Sequence, residues 1–167
     1  SLLIVVDTHN KDILESVDLY HAARYVIVID HHRKNVNFIE NAVIFHHEPY
    51  ASSASEMVTE IIQYFRLDTE VSSAYADALL AGIMLDTKNF VMRTGVRTFE
   101  AAAYLRKIGA DTVQVKSLFS NTISMYSMRA QIVAHAELYR NNAISAVKLQ
   151  DKNARVLAAQ AADELLS

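Results

Sequence analysis

The stretch that most constrains this chain is Tyr25-Val26-Ile27-Val28-Ile29-Asp30-His31-His32-Arg33. Its apolar half is mostly β-branched, which suits a strand buried on both faces, as central strands of parallel sheets are. It then stops on an acid and two imidazoles. Open α/β sheets hold their ligands at the carboxyl ends of such strands. The plainer alternative is a surface turn with incidental histidines, and two further acids weigh against it.

Leu2-Leu3-Ile4-Val5-Val6 is a second apolar run, and it too ends on an acid, Asp7, followed by Thr8-His9-Asn10. Ile13, Val17 and Tyr20 fall at helical spacing, so residues 11–24 are expected to form an amphipathic helix. Strand, helix, strand over this length is a βαβ unit. Its two strands are parallel, which brings Asp7 and Asp30 to one edge of the sheet. Ala42-Val43-Ile44-Phe45 is expected as a third strand that delivers His46-His47-Glu48 before Pro49 blocks continuation. Ser53 and Glu56 then fit a capping box opening a helix to about Arg66. The Ser52-Ser53 start is either a plain cap or an anion site built from free N–H groups.

Val71 to Leu85 is apolar and Ala-rich, expected as a helix buried on most sides, and it runs into Asp86-Thr87-Lys88-Asn89-Phe90. Lys88, Arg93, Thr94, Gly95, Arg97 and Thr98 follow closely, a solvated loop or a phosphate-facing one. Thr98 is the expected N-cap of a helix through Lys107, stopped by Gly109. Helices over 112–119 and 122–140, a short strand from Ala143 to Leu149 and a last helix over 153–166 complete the reading. The expected fold class is α/β, a parallel sheet with helices on both faces and a helical C-terminal part. Residues 1–142 are expected to be one domain, with 143–167 its end or the start of another.

Composition narrows the function. A net charge of −3 argues against general nucleic-acid binding but permits a local phosphate patch. Without cysteine there is neither a disulfide framework nor a thiolate metal site. The longest apolar run, Ala78 to Leu85, is too short to span a bilayer, so a soluble chain is expected. The chain starts without Met almost on a core strand, which suggests a piece of something longer. If Asp7, His31 and Asp86 converge, two carboxylates and an imidazole suit Mn2+ or Mg2+. Such an ion polarises a phosphoryl oxygen and acidifies water. Asp30 is placed to orient an imidazole, and His32 to donate to a phosphate or leaving oxygen.

Asp7-Thr8-His9, Asp30-His31-His32-Arg33 and Asp86-Thr87-Lys88-Asn89-Phe90 resemble, in order and spacing, the second to fourth motifs of the DHH phosphoesterase superfamily. Ala51-Ser52-Ser53-Ala54-Ser55-Glu56 and the stretch from Arg93 to Ala102 resemble most the GdpP-type cyclic-di-AMP phosphodiesterases. The resemblance implies that Asp7 bridges two Mn2+ ions in the complete domain, with His31 and Asp86 beside it on one of them; Mg2+ is the alternative metal. It implies catalytic support from Asp30 and His32, and substrate contacts from Arg33, Ser52, Ser53, Arg93, Thr94 and Arg97. The substrate implied is a cyclic dinucleotide, opened to the linear form, in a cytoplasmic domain of a membrane-anchored parent. A homodimer is compatible with the resemblance. The family's first motif has no counterpart in this chain, and its C-terminal substrate-binding domain is absent or only begun. The chain alone is therefore expected to be nearly inactive. Two other readings stand beside this one: an oligoribonuclease or linear-dinucleotide phosphoesterase, and a non-catalytic scaffold of the same fold.

Overall fold

A computed structural model describes residues 1–65, 71–120, 122–148 and 152–166. Three strands, β1 (Leu2–Val6), β2 (Tyr25–Asp30) and β3 (Ile44–His47), form a parallel sheet in the order β1-β2-β3. Val6 pairs with Ile29, so Asp7 leaves its strand beside Asp30, and Asp30 pairs in turn with His47. All the acids and histidines that end these strands therefore collect at one edge.

The strand alternation sorts the two faces. Leu3, Val5, Val26, Val28 and Phe45 pack with Leu14, Tyr20, Ile39 and Ala42 on one side. On the other, Ile27 and Ile29 meet Ala51 and the first turns of α2 (Ala54–Tyr64) through Met57, Val58 and Ile61. Helix α3 (Ser73–Asp86) joins α4 (Val96–Lys107) and α5 (Thr112–Leu118) around Ala76, Leu80, Ile83, Ala101, Leu105 and Val115. Residues Ser1–Leu118 make one compact unit and Phe119–Ser167 a second. In the second, α6 (Ile123–Ala134) packs on α7 (Ala154–Leu165) through Ile132, Leu157 and Ala161.

Several elements differ from expectation for local reasons. Residues 11–24 are not one helix but a 3-10 turn, Lys11–Ile13, and a short α1, Val17–Ala22. Asn10 caps the turn, Leu14 adopts an extended conformation, and the Ser16 side chain accepts from Leu19 N–H to start the helix afresh. The third strand lies later than Ala42–Phe45, because its register against β2 takes in His46 and His47. Helix α2 begins after Ser53 as expected, but Glu56 bonds the Ser52 hydroxyl instead of the Ser53 backbone. Arg66 and Leu149, expected ends of a helix and a strand, lie outside the described residues.

Helix α3 buries only the stripe Ala76, Leu80, Ile83, leaving Tyr75 and Leu85 exposed, so it is not buried on most sides. Gly95, not Thr98, is the N-cap of α4; Thr98 is one turn inside, where its buried hydroxyl accepts the Gly95 N–H. At the other end Gly109, at φ 113°, closes a Schellman turn, with Gly109 N–H on Arg106 and Ala110 N–H on Leu105. The helix expected over 122–140 stops at Ala134. Glu137–Tyr139 pairs instead with Asn142–Ile144 in a hairpin (β4 and β5) whose two-residue turn puts Arg140 at φ 54°.

Candidate metal centre

Three chain ends build the centre. The backbone N–H of Asp7 still bonds Ile29, extending the ladder one residue past β1, and its φ of 63° then turns the chain off the sheet. His31 follows β2 directly and is buried. Asp86 is the last residue of α3.

The His31 ring has a defined orientation. Its Nδ1 lies 3.3 Å from the carbonyl oxygen of Ala51, which can only accept, so Nδ1 carries the proton. Nε2 then bears the lone pair, and this buried atom has no hydrogen-bond partner. It stands 3.4 Å from Asp7 Oδ1 and 3.6 Å from Asp86 Oδ2. Two carboxylates facing an imidazole lone pair repel unless something positive lies between them. Donor atoms about 2.1 Å from one ion are themselves about 3–3.5 Å apart. Each of the two distances from His31 thus fits a pair of ligands on one cation.

The electrostatics agree. Burial, and next the Asp7 carboxylate, push the Asp86 carboxyl above its ordinary value, against the pull of the Arg93 charge. A bound cation would remove that penalty.

Asp30 is a different kind of acid. It is fully buried, and its Oδ1 accepts the His31 N–H at 2.9 Å, the His32 N–H at 3.3 Å and His32 Nδ1–H at 2.7 Å. Oδ2 accepts Nδ1–H of the buried His9. Burial alone would raise this carboxyl, but the hydrogen bonds from His9 and His32 outweigh it and hold it below the ordinary range. Asp30 is therefore an anchor for two imidazoles.

Ligand atoms of Asp7, His31 and His32 lie within 4.8 Å of one another, and those of a second cluster, His9, Asp30 and His47, do the same. The buried members of the second cluster, His9 and Asp30, are already fully engaged. His9 Nε2 accepts the Asn35 N–H at 2.8 Å while its Nδ1–H serves Asp30, and His47 Nε2–H donates to the His32 carbonyl. Hydrogen-bond accounting separates the two clusters: only the one at His31 leaves a buried lone pair unused.

Residues 1–83 match the DHH family, N-terminal domain. Over its whole length the chain is 44% identical to cyclic-di-AMP phosphodiesterase GdpP of Bacillus subtilis and 43% identical to cyclic-di-AMP phosphodiesterase PdeA of Listeria monocytogenes. It spans 26% of each of those proteins. In fold it is similar to an exopolyphosphatase-related protein from Bacteroides fragilis: TM-score 0.77, 19% identity, 92% of this chain and 46% of that one.

The fold treats the expected substrate residues unequally. Arg33 is exposed beside the centre's histidines in sequence, and Arg93 is close enough for its charge to act on Asp86. Ser52 and Ser53 are buried, their hydroxyls committed to the Glu56 carboxylate and backbone N–H at the start of α2. Thr94 donates to the Met92 carbonyl. Arg97 grips Glu60 with two 2.7 Å bonds and reaches Glu48 at 3.4 Å, tying α4 to α2. His9, the anchor of Asp30, had no role in the sequence reading; its position two residues after Asp7 was the available signal.

Proposed function

We propose that this chain carries part of the catalytic centre of a cyclic-di-AMP phosphodiesterase, with Asp7, His31 and Asp86 holding Mn2+. The observation that supports this best is the unpartnered His31 Nε2 facing two carboxylates. The substrate comes from the names of the relatives at 43–45% identity. When bound, the cation supplies Lewis acidity to a phosphoryl oxygen and acidifies water for attack. The chain's own residues do the rest. Ala51 and the buried surroundings of His31 hold its lone pair toward the carboxylates. Asp30 fixes His32 through Nδ1–H, leaving the half-exposed ring's Nε2 for a phosphoryl or leaving oxygen, to which it donates when protonated. Arg93 offers positive charge near Asp86, and Arg33 a guanidinium, for the remaining phosphate oxygens. Ser52, Ser53 and Arg97 act by holding α2 and α4 in place, and Thr94 by shaping the Arg93 loop. Residues 143–167 end this domain or open the next.

Three side chains on one ion leave its other positions to water or to groups outside these residues. The 167-residue chain alone is therefore expected to hold Mn2+ weakly and turn over little. The test compares His31→Ala with His47→Ala in the full gene product, assayed for Mn2+-dependent opening of cyclic-di-AMP. His31→Ala should lose about 100-fold or more in turnover. His47→Ala should keep most of it, since His47 is engaged with the His32 carbonyl. The reverse ranking on folded protein would move the centre to the second cluster. Faster cleavage of linear dinucleotides would change the substrate, and absence of both turnover and metal binding would favour a scaffold.

A further inference from the structure

The segment after Asp86 has an unusual backbone. Helix α3 ends in a Schellman turn, with Lys88 N–H on Leu85 at 3.2 Å and Asn89 N–H on Met84 at 2.8 Å. Glycine is usual at the left-handed position of such a turn, yet here it is Lys88, at φ 47°. The left-handed conformation then continues through Asn89 at φ 57° and Phe90 at φ 64°. Non-glycine residues visit this region singly, not in runs, and a side chain as bulky as phenylalanine is a true outlier there. Strain of this kind persists only where the surroundings over-determine it.

What over-determines it is Thr87. The residue is fully buried, and four hydrogen bonds to its hydroxyl and carbonyl tie it to the turn and the helix, besides its own N–H on the Ile83 carbonyl. Its hydroxyl donates to the Ile83 carbonyl at 2.7 Å and accepts the Phe90 N–H at 2.9 Å. Its own carbonyl accepts the N–H groups of Val91 at 2.9 Å and Met92 at 2.8 Å. The turn therefore winds around one side chain and one carbonyl. The residue before this hub is Asp86, and the residue after its last bond is Arg93, whose charge acts on Asp86.

We propose that Thr87 is a positioning residue for the cation site: its hydroxyl locks the left-handed turn and thereby fixes the Asp86 carboxylate against His31. This rests on the metal reading above. A hydroxyl that only stabilised the fold would need no strained run beside it, because an ordinary glycine-ended turn closes a helix at lower cost.

The test is calorimetric titration of Mn2+ into the full gene product carrying Thr87→Val, Thr87→Ser or Asp86→Asn, with thermal melts of the metal-free proteins. Thr87→Val keeps shape but removes the donor and acceptor. It should weaken Mn2+ binding by about 10-fold or more, the scale at which residues that orient metal ligands act. Thr87→Ser, which restores the hydroxyl, should return most of the affinity. A Thr87→Val protein with a lowered melting temperature but unchanged Mn2+ affinity would overturn the proposal. Asp86→Asn reports separately on the site itself: unchanged binding there overturns the metal reading, whatever Thr87 does. If Thr87→Val does not fold alone, it is measured in an Asn89→Gly background, where glycine relieves one strained position. The double variant should still bind Mn2+ more weakly than Asn89→Gly, and equal affinity would overturn the proposal.

Discussion

Asp30 holds four hydrogen bonds without any contact to solvent, and this makes its charge a structural element. In Asp30→Asn the amide must set an N–H against one of the donors now serving it. The expected cost is about 2 kcal/mol at neutral pH, the scale of losing a buried hydrogen bond to a charged group. The pH dependence has a definite sign. A carboxyl held below its ordinary value of 3.8 contributes stability above that pH and loses it as pH falls through the folded value. Chemical denaturation of both proteins should show their gap closing below about pH 3.8 and not before. His9 offers a finer probe. Asparagine can set its amide N–H where His9 has Nδ1–H, whereas leucine cannot. His9→Asn should therefore retain more stability than His9→Leu in the same measurement, and equal losses would mean that the bond to Asp30 contributes nothing.

The position of α3 decides where Asp86 sits, and its close approach to α2 depends on one glycine. A Cβ built on Gly82, one turn before Asp86, would stand 2.1 Å from Ser55 Oγ and 3.0 Å from Ser55 Cβ. Gly82→Ala must turn the Ser55 hydroxyl away and crowd its Cβ, at an expected cost of about 1–3 kcal/mol where the helices part to relieve it. The push falls on the last turn of α3, so Mn2+ affinity should fall with it. Ser55→Ala removes the nearer obstacle, and the double variant should recover part of the loss. A double-mutant cycle measures this coupling directly; additive losses would place the strain elsewhere. Helix α4 is tied to α2 by the Arg97 grip on Glu60, with a further bond to Glu48. The placements of α3 and α4 are thus set by contacts that no single segment contains.

At the scale of the molecule, the three candidate ligands all lie within Ser1–Leu118, which has its own core. Removing Phe119–Ser167 should leave a folded protein with unchanged Mn2+ affinity, checked by melting and titration. Loss of binding on truncation would show that the second unit supports the centre. The sequence by itself determined the parallel strands and the acids and imidazoles that end them. Period, β-branching and the stop at Pro49 act locally, and parallel pairing then brings every strand end to one edge. It also carried the motifs by which residues 1–83 match the DHH family, N-terminal domain. The break of residues 11–24 at Leu14, the start of α4 at Gly95 and the two-residue shift of β3 were not legible, because competing caps and strand register decide them. Nor could letters separate His31 from His47. Each follows a strand run and each has an acid nearby. Only the tertiary structure places the Ala51 carbonyl on one ring nitrogen of His31, and the His32 carbonyl on His47. A lone pair is left free, or is not, by partners some twenty and fifteen residues away. Such hydrogen bonds are properties of the assembled fold, not of any window of sequence.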